Sequence, residues 1–280
     1  EIMPSLVGSE MCIRDRLYTY SKSPDGKLEE EELVVNNKLI FCNKNSVLTL
    51  DDVEFPMDSA VKANLANNAN NVSIVNFLLT SYPLAKEHYL LKLQQFVNSM
   101  LWFRSVEKNE FMGLATAPAN LDEYIIKNKL TRDFEEFIHR VSGQSFEFQE
   151  PKDDDKELYC VFGLGRIPFD KIASTGTQSL MLLYYWLKQM TKASFVFIDE
   201  FDAFYHFRLS YEVCKTLFSL PCQAFTSSHN TYLMTNDLLR PDCNFILQDN
   251  KIKPLSDCTQ KELRFGHNIE KMFRGNAFEV

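Results

Sequence analysis

The chain has 280 residues, 45% of them apolar, which is enough for one large globular domain or two modest ones and too much for a disordered chain. Its formal net charge of -8 offers no overall basic surface for nucleic acid, and no apolar run reaches the ~18 residues that a membrane-spanning helix needs. The seven cysteines show no CxxC pair and no regular spacing, which suits reduced thiols in the cytoplasm better than a disulfide framework.

The first residues stand apart. Ser5 to Arg16 lacks the continuous apolar stretch of a targeting signal and breaks at once into charges. The run Met11-Cys12-Ile13-Arg14-Asp15-Arg16 is what the transposon-end adapter ATG-TGT-ATA-AGA-GAC-AG encodes in one frame. The plainer reading is an ordinary polar tail. On the adapter reading, residues 1–16 are foreign and native sequence begins near Leu17, with its true N-terminus missing.

Residues 17–56 read as a β-meander. Leu17 to Tyr20 alternates, Pro24-Asp25-Gly26 makes a turn, and Glu32 to Val35 and Leu39 to Cys42 follow around Asn36-Asn37. The acids Glu29 to Glu32 are expected on a solvated strand face. Residues 57–150 read as a helical insertion. Its best helix spans Leu84 to Arg104, where Tyr89, Leu93, Phe96 and Met100 recur at three- and four-residue steps. A second helix is predicted over 121–142, with Phe134, Phe137, Ile138 and Val141 as core. Lys152 to Lys156 reads as a polar hairpin or linker, since its three consecutive Asp lack the alternating acids and glycine of a calcium loop.

Residues 151–280 change texture. Strands are expected at Leu158 to Phe162, Phe195 to Ile198, Cys222 to Thr226 and Cys243 to Leu247. Helices are expected at Thr177 to Lys192, Phe207 to Phe218 and around Tyr232 to Leu239. The alternation argues for a mostly parallel sheet covered by helices.

Three features in this half could carry chemistry. The apolar strand Phe195 to Ile198 delivers Asp199 and Glu200 at its C-terminal end, the edge where open α/β sheets bind ligands. Adjacent carboxylates repel unless a cation lies near, and a Mg²⁺-nucleotide supplies one. Asp199 would hold the metal, and Glu200 would orient or deprotonate the attacking water. The competing reading is a plain acidic loop. Ser174, Thr175, Gly176, Thr177 and Gln178 open the long helix, where free N–H groups and the positive dipole end suit a phosphate. A Ser/Thr N-cap explains them equally. His229, after the next strand, could reach a γ-phosphate or the water, or be an ordinary surface histidine.

Order and spacing together resemble the ABC-type ATPases: a hydroxyl-Gly helix start, an apolar strand ending Asp-Glu, then a strand ending in His. Phe197-Ile198-Asp199-Glu200-Phe201-Asp202-Ala203-Phe204-Tyr205-His206 and the tail Leu263 to Gly275 look like the bacterial AAA-family ATPases grouped with overcoming-lysogenization-defect and abortive-infection proteins. The likeness is specific over about 173–280 and only general before it. It implies an α/β, P-loop NTPase-like fold of the ABC type, with a mostly parallel sheet and helices, plus the meander and insertion. It further implies ATP and Mg²⁺ as cofactors, Asp199 as the Mg²⁺ acid, Glu200 as the catalytic acid and His229 as the switch histidine. Ser174 to Gln178 would be the signature, touching ATP on a second subunit of a head-to-tail homodimer. Thr177 departs from the usual Leu-Ser-Gly-Gly-Gln form. DNA or a separate effector protein would be the further partner, and no membrane.

The phosphate loop Gly-x-x-x-x-Gly-Lys-Ser/Thr is absent from these residues. The one Gly-Lys pair, Gly26-Lys27, is followed by Leu28, and Ser21 stands where the first glycine belongs. The family places that loop near the N-terminus, so the fragment is expected to bind ATP poorly and not turn it over. Two rivals remain. One is a nucleotide-gated interaction platform without turnover. The other is a Mg-dependent α/β hydrolase or nuclease using Asp199, Glu200 and Asp202.

Overall fold

A computed structural model describes residues 16–44, 47–69, 71–104, 117–152, 154–249 and 251–279. The adapter-like stretch lies outside these residues apart from Arg16, which is the first residue of a strand. The chain divides into two compact units, Glu1–Asn98 and Ser99–Val280.

The first unit contains the expected meander. β1 (Arg16–Lys22), β2 (Leu28–Val35), β3 (Lys38–Lys44) and β4 (Val47–Leu50) form one antiparallel sheet in sequence order. Asn36 and Asn37 both take positive φ, 49° and 62°, which lets a two-residue turn match the twist of β2 and β3. Three helices follow: α1 (Ser59–Asn68), α2 (Ile74–Ser81) and α3 (Tyr89–Asn98). Asp58 and Ser73 cap the first two through side-chain oxygens. Leu33, Ile40, Phe41, Phe55, Ile74, Leu78 and Leu90 are buried in one core.

The glutamate run is not a uniformly solvated face. Glu29 is exposed and Glu30 and Glu32 are half-buried, but Glu31 is 0% exposed. Successive strand residues point to opposite faces, so Glu31 shares the inner face with Leu33. The carboxylate survives there because Tyr18, Ser73 and two backbone N–H groups at the start of α2 all donate to it.

The long helix expected over Leu84 to Arg104 is shorter: α3 ends at Asn98, and the second unit begins as a strand. β5 (Met100–Arg104) follows α3 directly in sequence as a strand. Met100-Leu101-Trp102-Phe103 is a continuous apolar run, and the Ser99 carbonyl accepts from Ser194 N at 3.2 Å, opening a parallel ladder. The helix expected over 121–142 is two helices, α4 (Leu121–Lys127) and α5 (Thr131–Ser142). Lys129 between them has φ 55°, and its N–H turns back to Ile126 O. α5 ends at Gly143, whose φ of 70° is cheap only for glycine.

β6 (Tyr159–Phe162) and β7 (Gly165–Pro168) make a hairpin, followed by α6 (Phe169–Ile172) and α7 (Thr175–Met190). Then come β8 (Phe195–Asp199), α8 (Phe207–Leu217) and β9 (Gln223–Thr226). β5, β8 and β9 form a parallel sheet in that spatial order. The strand expected near Cys243 begins at Phe245 and leaves this sheet. β10 (Phe245–Gln248) pairs antiparallel with β11 (Lys251–Pro254), so the parallel part is three strands wide among the described residues. The helix expected around Tyr232 is a single 3-10 turn, Thr231–Leu233, and α9 (Ile269–Arg274) comes near the end of the chain.

The core of this unit lies on one face of the parallel sheet. Val196 and Ile198 of β8 and Phe103 of β5 are buried against α5, α7 and α8, through Phe137, Tyr184, Trp186, Leu209 and Val213. Phe134 anchors the aromatic part, with ring centroids 5.1–5.8 Å from Tyr184, Phe148 and Phe169. Asp133 at the start of α5 accepts from the Tyr184 hydroxyl and pairs with Lys188 at 2.6 Å, tying α5 to α7. Burial, reinforced by Asp133, pushes the Tyr184 phenol upward. No helix among the described residues is long and apolar enough to cross a membrane.

Candidate functional site

β8 alternates as a one-sided strand: Val196 and Ile198 are buried, and Phe195, Phe197 and Asp199 face the other way. The chain turns at Glu200. Its φ is 47°, the left-handed region that costs a residue with a Cβ about 1–2 kcal/mol. Phe201, 3% exposed, anchors the far side of the turn, and its N–H donates to the Ser227 carbonyl at 3.2 Å. Asp199 is half-buried and Glu200 is exposed, so a strand buried on one face hands two acids to the surface at its C-terminal end.

The end of β9 closes on this turn. The Ser227 hydroxyl donates to Asp199 Oδ1 at 2.5 Å and accepts from Glu200 N at 2.7 Å. The Ser228 hydroxyl donates to Asp202 Oδ2 at 2.7 Å and accepts from Asn230 N at 2.9 Å. His229 follows, exposed, on the same loop. Asp199 at the end of β8, with Glu200 and Asp202 just after it, is therefore stitched by Ser227 and Ser228 to the loop that bears His229; neither serine stands out in the sequence.

The start of α7 adjoins the segment after the acids. A Cβ on Gly176 would stand 3.0 Å from the Phe204 carbonyl oxygen, so only glycine lets these two backbones approach. One turn later Ser179 Oγ lies 3.1 Å from the Tyr205 hydroxyl. Burial pushes that phenol up to about 12, against the lowering effect of Ser179. Ser174 caps α7, accepting from Thr177 N at 3.2 Å. Ser174, Thr175 and Gln178 are exposed, whereas Thr177 is 3% exposed and its hydroxyl donates to Gln144 at 3.0 Å. Thr177 shares an inward stripe with Leu180, Met181 and Tyr184. His206, the histidine of the Asp-Glu segment, caps α8 by accepting from Leu209 N at 3.4 Å.

The donors near Glu200 are carboxylates and hydroxyls, hard oxygen ligands that suit Mg²⁺. Among the described residues no three His, Cys, Asp or Glu converge as a metal cage. Mg²⁺ takes one or two carboxylates and completes its shell with water and substrate phosphate, so this sparse set fits that ion. The residues present do not form a phosphate cradle of the Gly-x-x-x-x-Gly-Lys type.

The strain at Glu200 has a measurable consequence. Glu200→Gly removes the Cβ penalty and adds backbone freedom to the unfolded chain, for a net gain of about 1 kcal/mol. The second unit should melt about 2–4 °C higher by tryptophan fluorescence; both tryptophans, Trp102 and Trp186, belong to it. A lower melting point would show that the left-handed backbone carries no strain.

Comparison with known proteins places the chain. No curated protein matches it. One solved structure, from work on the structural biochemistry of ATP-driven dimerization and DNA-stimulated activation of SMC ATPases, is 14% identical, with a TM-score of 0.36 over 57% of this chain and 99% of that one. A family profile matches residues 62–235, more than half of the chain and inclusive of Ser174 to Gln178, Asp199, Glu200 and His229. The protein therefore belongs to the family described as "AAA domain, putative AbiEii toxin, Type IV TA system".

Proposed function

We propose that this chain supplies the metal- and water-directing side of an ATP-hydrolysing core of the ABC/AAA type. The observation that carries the reading is the junction of β8 and β9, where Asp199 and Glu200 end the middle strand of the parallel sheet beside the loop bearing His229. In this reading Asp199 holds Mg²⁺, which neutralises phosphate charge when bound. Glu200 directs or deprotonates the attacking water, and His229 meets the γ-phosphate side.

Ser174, Thr175, Gly176, Thr177 and Gln178 form the nucleotide-facing signature. The exposed side chains of Ser174, Thr175 and Gln178 are the ones available to a partner's ATP. Burial of Thr177 accounts for its departure from glycine: its hydroxyl braces the helix start and leaves the outward positions alone. The working unit is then a head-to-tail homodimer, cytoplasmic, in a phage-defence or DNA-maintenance setting, with DNA or a separate effector as partner. The reducing location is supported by the six cysteines among the described residues, all of them free.

The reading requires a phosphate loop of the Gly-x-x-x-x-Gly-Lys type, which these 280 residues do not hold. The chain alone should therefore release phosphate from ATP no faster than its own Glu200→Gln variant. Measurable Glu200-dependent hydrolysis by the 280-residue chain would overturn this division of labour. The rival hydrolase or nuclease is less well supported, because it calls on Asp199, Glu200 and Asp202 together and no three such groups converge as a metal cage among the described residues.

A further inference from the structure

We propose that Ser227 is the positioning residue of this site: one hydroxyl that fixes both the Asp199 carboxylate and the backbone of Glu200. The inference rests on the ATPase reading above and deepens it. A serine hydroxyl has one hydrogen to donate and lone pairs to accept. Here the hydrogen goes to Asp199 Oδ1 at 2.5 Å, and a lone pair receives the Glu200 N–H at 2.7 Å. Both acids are thereby referenced to a single oxygen, 28 residues away in sequence from Asp199.

The backbone of Ser227 serves the same junction separately. Its N–H donates to Ile198 O at 3.0 Å, and its carbonyl accepts from Phe201 N at 3.2 Å. Ser227 thus brackets Glu200 on both sides, Ile198 before it and Phe201 after it. This matters because Glu200 sits at φ 47°, a conformation that surrounding contacts must impose on a residue with a Cβ. With the hydroxyl removed, the two backbone bonds still join β9 to β8 and the fold persists. What is lost is the hydroxyl's hold on the Asp199 carboxylate and on the Glu200 amide in the left-handed turn. An alanine at 227 cannot do either task, a cysteine is a weaker donor with a longer reach, and a threonine retains the oxygen.

Ser227 touches neither nucleotide nor metal in this account; it acts through Asp199 and Glu200. The test uses the full-length protein, which on the ATPase reading carries the phosphate loop. In Ser227→Ala, the Mg²⁺ concentration for half-maximal ATP turnover should rise about 10–100-fold, the range seen when a residue orienting a metal ligand is removed. Ser227→Thr should restore it to within about 3-fold, since the donor and acceptor return. Hydrogen exchange on the 280-residue chain supplies a readout independent of turnover: Ser227→Ala should speed exchange at the Glu200 amide while Val196 and Ile198 within β8 keep wild-type protection. Ser227→Ala with an unchanged Mg²⁺ requirement, in a background where the wild type hydrolyses ATP, overturns the proposal. So does a uniform loss of protection along β8 and β9, which marks a merely structural role. A full-length wild type without turnover instead removes the ATPase reading, and this inference falls with it.

Discussion

In the full-length protein, Glu200→Gln is expected to lower ATP turnover about 10²–10⁴-fold while nucleotide binding stays close to wild type. Glutamine keeps the length and shape of the side chain. It also leaves the backbone N–H bond to Ser227 and the neighbouring Asp199 carboxylate in place. The negative charge and the capacity to accept a proton from water are gone. Asp199→Asn should behave differently. It removes the charge that the Mg²⁺ role requires, so nucleotide affinity in the presence of Mg²⁺ should fall along with the rate. Phosphate release and equilibrium binding of a labelled nucleotide, measured on the same preparations, separate the two. Turnover that survives Glu200→Gln would transfer the water-directing role to another group and reopen the reading of the chain as an interaction platform.

The elements that support this site were legible in sequence where local pattern and tertiary outcome agree. α7, β8 and α8 fall within about two residues of their expected bounds because an amphipathic or continuously apolar run has one compatible environment. β5 was hidden for the converse reason. Phe96, Met100 and Leu101 satisfy helical spacing, and the ladder to Phe195–Asp199 that makes Met100–Arg104 a strand is a non-local fact. The buried side of α7 could have been drawn out of the sequence: Thr177 keeps register with Leu180, Met181 and Tyr184, so a hydroxyl on that stripe is braced inward. Ser227 and Ser228 could not. A serine at a strand end has no signature of its own, and its meaning comes from Asp199 and Asp202 across the sheet. A run of four acids suggests solvent, yet the two-residue period of a strand turns Glu31 inward beside Leu33.

That buried glutamate carries the largest expected stability effect. Glu31 Oε1 accepts from Tyr18 at 2.9 Å, Ser73 at 2.7 Å and Val75 N at 3.2 Å, and Oε2 accepts from Ile74 N at 2.6 Å. The last two donors are the first free N–H groups of α2, so the carboxylate also meets the positive end of that helix. Burial first, and the neighbouring carboxylate second, push the Tyr18 phenol upward, which keeps it a donor throughout the working pH range. Glu31→Ala strands two hydroxyls and two amides inside the core that holds Phe41 and Ile74. Bonds to a charged acceptor contribute about 1.5–3 kcal/mol each, and water entering the vacated space recovers part, leaving a net cost of about 3 kcal/mol. That corresponds to about a hundredfold rise in the opening equilibrium of the first unit. Glu31→Gln keeps the volume and one accepting oxygen but turns an NH₂ toward a ring of donors, so its cost should fall between alanine and wild type. Hydrogen exchange resolved by segment is the suitable measurement, since Trp102 and Trp186 lie in the second unit and tryptophan fluorescence does not report on the first. Protection of β2 and α2 in Glu31→Ala within about 0.5 kcal/mol of wild type would show that the carboxylate is a tolerated passenger and that α2 is held by Ile74 and Leu78 alone.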